Sequence, residues 1–102
     1  MSHREVQRYA FKEAVPSKEI EETLLLAVLA AEGLHGQSRV RLDATYYFDQ
    51  EKHACVIDSG SDVGRDICRM FTGFAIREFG EAAFSVCRAN SVPEAGTEDP
   101  SA

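Results

Sequence analysis

The fold is decided by the stretch from Ala54 to Arg88, which reads ACVIDSGSDVGRDICRMFTGFAIREFGEAAFSVCR. This stretch begins with a short apolar segment. A helical pattern follows and ends at a glycine, and a second short apolar segment comes last. The helical pattern is amphipathic, with large apolar side chains recurring every three or four residues. We interpret the three parts as strand Ala54–Asp58, helix Ser61–Phe79 and strand Phe84–Arg88.

The first half of the chain repeats this order. We interpret it as strand Glu5–Lys12, helix Pro16–Glu32 with Gly33 as its stop, and strand Arg39–Phe48. Two such units in tandem give the order βαββαβ, which is the ferredoxin-like arrangement. We therefore expect an α+β fold with a four-stranded antiparallel sheet in the order 4-1-3-2 and two helices on one face. This arrangement hosts unrelated functions, so it does not by itself indicate an activity.

The second strand shows the clearest alternation of apolar and polar residues. The segment Asp49–Lys52 is expected to form the hairpin turn that follows it, pairing Phe48 with His53 and Tyr46 with Cys55. Apolar residues on the helix side of this strand are Val40, Leu42, Ala44, Tyr46 and Phe48. Polar residues on the opposite side are Arg39, Arg41, Asp43, Thr45 and Tyr47.

Composition limits the classes of protein to consider. The 102 residues are expected to form a single domain over residues 1–90, followed by a disordered C-terminal tail over residues 91–102. The 17 acidic and 11 basic residues give a net charge of −6, which opposes non-specific binding to nucleic acid or to an anionic membrane. The N-terminus lacks a signal-peptide pattern and no apolar run is long enough to span a bilayer, so we expect a cytoplasmic protein.

The residue types that carry chemistry are scattered. Cys55, Cys68 and Cys87 show no CxxC spacing and are expected to be reduced thiols. The histidines lie far apart in the sequence and are expected to be exposed, so we predict no metal site and no cofactor. His53 and Cys55 share one side of a strand, but Cys55 is expected to be buried, which disfavours its thiolate. The sequence thus predicts no catalytic residues.

Two surfaces remain as candidate interfaces. The sheet face away from the helices, which we call the open sheet face, is expected to carry a small apolar centre with charged residues around it, as interfaces do. On the first helix, Leu25, Leu26 and Leu29 lie off the predicted buried face. We therefore expect a non-enzymatic protein-interaction module, acting as a homodimer or as a subunit of a larger complex. The candidate interface residues are Leu25, Leu29, Arg39, Arg41, Tyr47 and Val56.

Two other classes of protein compete with this interpretation. One is a small enzyme of the dimeric α+β-barrel type, which requires a pocket between sheet and helices with a convergent polar group such as Asp43, Tyr47 or His53. The other is a nucleic-acid accessory protein that uses the arginines and Tyr47 of the open sheet face. The acidic net charge argues against it, and so do the small residues expected where the central strands of sheet-surface RNA binders carry aromatics.

Overall fold

The computed structural model describes residues 5–89, so the predicted tail at residues 91–102 lies outside the described residues. The strands are β1 (Val6–Phe11), β2 (Tyr46–Asp49), β3 (Ala54–Asp58) and β4 (Phe84–Ala89). The helices are α1 (Ser17–His35), α2 (Gln37–Asp43) and α3 (Asp62–Phe79), and the 3₁₀ turn Glu81–Ala83 precedes β4.

The four strands form one antiparallel sheet in the order β2-β3-β1-β4. The predicted α+β class, the antiparallel sheet and the order 4-1-3-2 are therefore confirmed, and the order is consistent with a ferredoxin-like arrangement. The long helices α1 and α3 both pack on the sheet face that carries Tyr9, Phe11, Cys55 and Ile57. No helix within residues 5–89 has the length and apolar character needed to cross a membrane.

The prediction of a long second strand is wrong, because Gln37–Asp43 is the helix α2 and β2 has only four residues. Alternation required Val40 and Leu42 to share a buried face, yet Val40 is 3% exposed and Leu42 is 83% exposed. A helix separates these two residues to opposite sides, so only Val40 reaches the core. The Arg39 side chain donates to Asp43 one turn later at 3.2 Å, a spacing that supports a helix.

The hairpin between β2 and β3 is shifted by two residues from the predicted pairing. Phe48 lies opposite Cys55 and Tyr46 opposite Ile57, which leaves residues 50–53 as the loop. His53 closes this loop with a φ of 56°, in the left-handed region. Because side chains alternate with a period of two, the shift leaves every residue on its predicted face.

Helix α1 ends three residues later than predicted. Gly33 lies inside the helix, and Gly36 is the C-cap, with a φ of 92° and its N–H donated to the Glu32 carbonyl. Positive φ is unstrained only for glycine, so the cap falls at Gly36. The predicted glycine stop of the later helix is confirmed, since Gly80 is the C-cap of α3. Ser61 is the N-cap of this helix, and its hydroxyl accepts from the Gly64 N–H at 3.0 Å.

The core is organised around the fully buried Tyr9 in the central strand β1. Its ring meets Phe71 of α3 edge-on at a centroid distance of 4.9 Å. Its hydroxyl is hydrogen-bonded to the Thr72 hydroxyl at 2.8 Å and donates to the Cys68 carbonyl at 3.3 Å. A buried phenol requires such partners, so this contact fixes where α3 lies along β1.

The start of α3 lies so close to the end of β3 that position 64 has room only for glycine. A Cβ atom at Gly64 would lie 1.9 Å from the Asp58 carbonyl oxygen, whereas one at Gly73 on the same helix would meet nothing within 4 Å. Gly64 is buried and Gly73 is exposed. Glycine is thus required at position 64, whereas at position 73 it lowers the stability of the helix.

Alanine at these two glycines should change stability in opposite directions. We expect Gly64→Ala to lower the free energy of unfolding by at least about 2 kcal/mol, because backbone must move to relieve the contact. We expect Gly73→Ala to raise it by about 0.5–1 kcal/mol through helix propensity. Urea denaturation of both variants measures this, and a neutral Gly64→Ala would contradict the close approach.

Candidate functional site

Three leucines of α1 point away from the core. Leu25, Leu26 and Leu29 are 46%, 57% and 58% exposed, while Leu24 beside them is 2% exposed. Single exposed leucines are normal, but three within five positions of one helix form an apolar patch that the described residues 5–89 leave uncovered. The predicted apolar strip on the first helix is therefore present on the surface.

The patch borders a groove of about 690 Å³ between α1 and α3, which we call the α1–α3 groove. Leu26, Leu29 and Ala30 form its wall on α1, and Phe74 contributes from α3. A groove of this size lined by apolar side chains is typical of a binding surface. Its lining residues are Glu19, Glu22, Thr23, Leu26, Leu29, Ala30, Phe74, Arg77 and Glu78.

Local sequence explains why the two helices lie this way. His35 at the end of α1 is hydrogen-bonded through Nε2 to Asp66 near the start of α3, at 2.8 Å, so the helices are antiparallel. On the inner side of α1, Ala27 and Ala31 are fully buried in the core. The Thr23 hydroxyl in the groove wall donates to the Glu19 carbonyl at 2.8 Å and is therefore satisfied within its own helix.

Charge is concentrated at one end of the groove. Glu19 and Glu22 lie near the start of α1, and Arg77 and Glu78 lie near the end of α3, so three carboxylates and one guanidinium line this end of the groove. None of these four side chains forms an ion pair with another residue in the range 5–89. The rim of the groove therefore carries unneutralised negative charge.

The sequence indicates the α1 side of this groove but not the α3 side. The apolar spacing in α3 predicts that Phe74 lies on the buried face of this helix together with Phe71, whereas Phe74 is half-buried at the groove. Arg77 and Glu78 follow it at the three- and four-residue spacing that places side chains on one side of a helix. That spacing indicates that the three side chains share one side of α3. Only the packing of α1 against α3 shows that this side lines the groove.

The open sheet face differs from the expectation in its centre. Val56 lies between Arg8 and Tyr47 in the strand register, as the alternation predicted. However, Val56 is 2% exposed and Ala54 is 0% exposed, whereas Tyr47 is 48% exposed. The apolar centre is therefore already buried, and a partner has little apolar surface to contact there.

Arg39 and Arg41 do not lie on the sheet face, and the prediction that placed them there is wrong. Both belong to α2, where Arg39 pairs with Asp43 and, at 3.9 Å, with Asp62 at the start of α3. The open sheet face thus loses two of the cations that the nucleic-acid interpretation required beside Tyr47. Arg41 is exposed and lines a small pocket next to Val40 and Tyr46.

A second cleft, of about 470 Å³, lies between α3 and β1. Burial raises the pKa of the Cys68 thiol to about 11, and burial also raises the pKa of Tyr9, so both groups are protonated and poor nucleophiles near neutral pH. The cleft is lined by Glu5, Gln7, Tyr9, Ser59, Arg65, Cys68, Arg69 and Thr72.

The polar groups that the enzyme interpretation required do not converge in that cleft. Asp43 is paired with Arg39, Tyr47 lies on the open sheet face, and His53 Nε2 donates to the Val15 carbonyl at 2.6 Å. The expectation that the histidines are exposed is wrong for His35 and His53, which are half-buried, while His3 lies outside the described residues. Within residues 5–89 no three His, Cys, Asp or Glu side chains are grouped so as to hold a metal ion.

Comparison with known proteins finds no match to this chain among family models, curated proteins or solved structures. The function of the chain is therefore inferred from its own residues.

The three cysteines, which are free, should differ sharply in reactivity. Cys87 is exposed, whereas burial raises the pKa of the Cys55 thiol to about 12 and that of the Cys68 thiol to about 11. At about pH 8 we expect an aromatic disulfide reagent to label one thiol quickly in the native protein and all three in denaturant. Cys87→Ser should remove the fast phase, and a fast phase that persists in this variant would contradict the assignment.

A carboxylate should be tolerated at Tyr47 but not at its cross-strand neighbour Val56. We expect Val56→Glu to lower the free energy of unfolding by about 3 kcal/mol or more, because the charge would be buried without a partner. Tyr47→Glu should cost less than about 1 kcal/mol, since the site is half exposed. Thermal or urea denaturation measures both, and equal losses would contradict the burial of Val56.

Proposed function

We propose that this protein is a non-enzymatic protein-interaction module, acting as a homodimer or as a subunit of a larger complex. Its docking surface is the α1–α3 groove together with the adjoining leucines of α1. The observation that carries this proposal is the exposure of Leu25, Leu26 and Leu29 beside a groove with apolar walls. Contiguous apolar surface of this kind is costly to leave in water and is typical of protein interfaces.

We also propose a fold and a cellular location for the chain. We assign the chain to the ferredoxin-like arrangement, with α2 as an additional helix between α1 and β2; the strand order and the two long helices on one face support this. We place the protein in the cytoplasm. Three free thiols support a reducing compartment, since exposed thiols such as Cys87 are oxidised in secreted proteins.

A charge in the leucine patch should dissociate the complexes. We expect Leu29→Glu to reduce the native mass of the protein to the 11.3 kDa of the single chain, because an unpaired buried carboxylate costs several kcal/mol, a large part of the roughly 8 kcal/mol of a micromolar complex. Leu42→Glu is the matched control, since Leu42 is even more exposed but lies on α2 outside the groove. Sedimentation of the purified proteins and size-exclusion chromatography of tagged chains in native lysate measure this.

The outcomes separate the two forms of the proposal. A purified dimer that only Leu29→Glu dissociates indicates a homodimer through the groove. A purified monomer that enters a larger assembly in lysate, again lost only in Leu29→Glu, indicates a subunit. A wild-type chain that is monomeric in both experiments overturns the proposal, and far-UV circular dichroism confirms that each variant is folded.

A further inference from the structure

We propose that the occupant of the α1–α3 groove is an amphipathic helix of another protein, with basic residues flanking its apolar face. This inference rests on the proposed function, because it names the partner of the same surface. Its evidence is separate: the backbone chemistry of the groove walls and the sign of the charge on the rim.

The walls of the groove favour a helical partner. Both walls are helices, whose backbone N–H and C=O groups along the groove are bonded within each helix. An extended peptide would therefore find no backbone partners and would leave its own amides unsatisfied where it is buried. A helix satisfies its backbone internally and offers only side chains, which is the helix-in-groove mode of recognition.

The apolar part of the groove sets the pattern that the partner must show. Leu26, Leu29 and Ala30 span one turn of α1, and Phe74 lies across from them on α3. Side chains of a packed helix enter such a groove at positions i, i+3, i+4 and i+7. The partner therefore needs an apolar stripe about two turns long at this spacing.

The rim selects the charge of the partner. Glu19, Glu22 and Glu78 outnumber Arg77, and none of them is neutralised by another residue among those described. Lysine or arginine on the flanks of the partner's stripe would lie against these carboxylates. Complementary charge of this kind supplies specificity and speeds association more than it supplies affinity.

The same charge argues against the two occupants that this chain itself offers. A second copy would bring its own acidic rim to the groove, within a dimer whose two chains each carry a net charge of −6. The C-terminal residues 90–102 contain Glu94, Glu98 and Asp99 and no basic residue, so they too are of like sign. Like charges brought together across an interface oppose association.

Three synthetic helices test the inference. Each has about 18 residues, above the length at which isolated helices are marginal. The first has leucines at the required spacing with lysines on both flanks, the second replaces every lysine by glutamate, and the third keeps the lysines but scrambles the leucines. Fluorescence anisotropy gives the affinity of each for the full chain at low and at physiological salt.

We expect the first peptide to bind at least about tenfold more tightly than either of the others, and to weaken as salt rises. The double variant Glu22→Lys and Glu78→Lys should reverse the preference between the first two peptides. The double variant Glu5→Lys and Glu51→Lys changes the net charge equally but lies outside the groove, and it should leave the preference unchanged.

Other results overturn the inference. Equal binding of the first two peptides would show that the rim does not select the charge of the partner. Equal binding of the first and third would show that charge attraction alone accounts for binding, without the apolar stripe. A homodimer that Leu29→Glu dissociates identifies a second copy as the occupant instead. If no peptide binds while Leu29→Glu still dissociates assemblies in lysate, the helical basic partner is wrong and the docking surface stands; if those assemblies are also unaffected, the proposed function fails with it.

Discussion

The contact between Gly64 and the Asp58 carbonyl oxygen is the constraint on which the arrangement of the helices depends. It lets the first turn of α3 lie directly on the end of β3, closer than any side chain would permit. The Ser61 cap, whose hydroxyl accepts from the same glycine N–H, holds that turn in place. With its start fixed there, α3 runs back across the sheet so that Phe71 meets Tyr9 and the Tyr9 hydroxyl finds Thr72.

The position of α3 in turn leaves the groove open. Helix α1 packs beside it, with Ala27 and Ala31 buried in the core, and the His35–Asp66 contact joins the two helices at one end. The core of so small a domain is filled by one face of each helix, and residues 5–89 supply no third layer over the outer faces. Leu26 and Leu29 therefore stay at the surface because the sheet can bury only one side of α1.

Part of this structure could be predicted from the sequence. The strand Ala54–Asp58 and the helix that ends at Phe79 were predictable because apolar period, cap and glycine stop agree in that region. The strand order followed from the tandem repeat. The segment at Val40 was not predictable as a helix, because two apolar residues two positions apart fit a strand as well as a helix in which one of them, here Leu42, is left in water. The predicted hairpin register was wrong by two residues, since the loop residue His53 has a positive φ, which a histidine in the sequence does not predict.

The candidate site was visible in the sequence only as a violation of amphipathicity. The sequence pattern alone offers two equivalent candidates for an interface. One is the group Leu25, Leu26 and Leu29, and the other is the set of small apolar residues around Val56; both are apolar groups on faces expected to be open. Packing separates them: Val56 lies in a central strand between the longer side chains of Arg8 and Tyr47 and is buried, whereas no residue within 5–89 shields the outward leucines of α1. The charge of the rim could not be read from the sequence either, because Glu22 and Glu78 lie 56 positions apart and meet only through the antiparallel packing of α1 and α3. Tertiary structure thus brings the apolar and acidic groups of the proposed docking surface together, and this combination belongs to the pair of helices rather than to either helix alone.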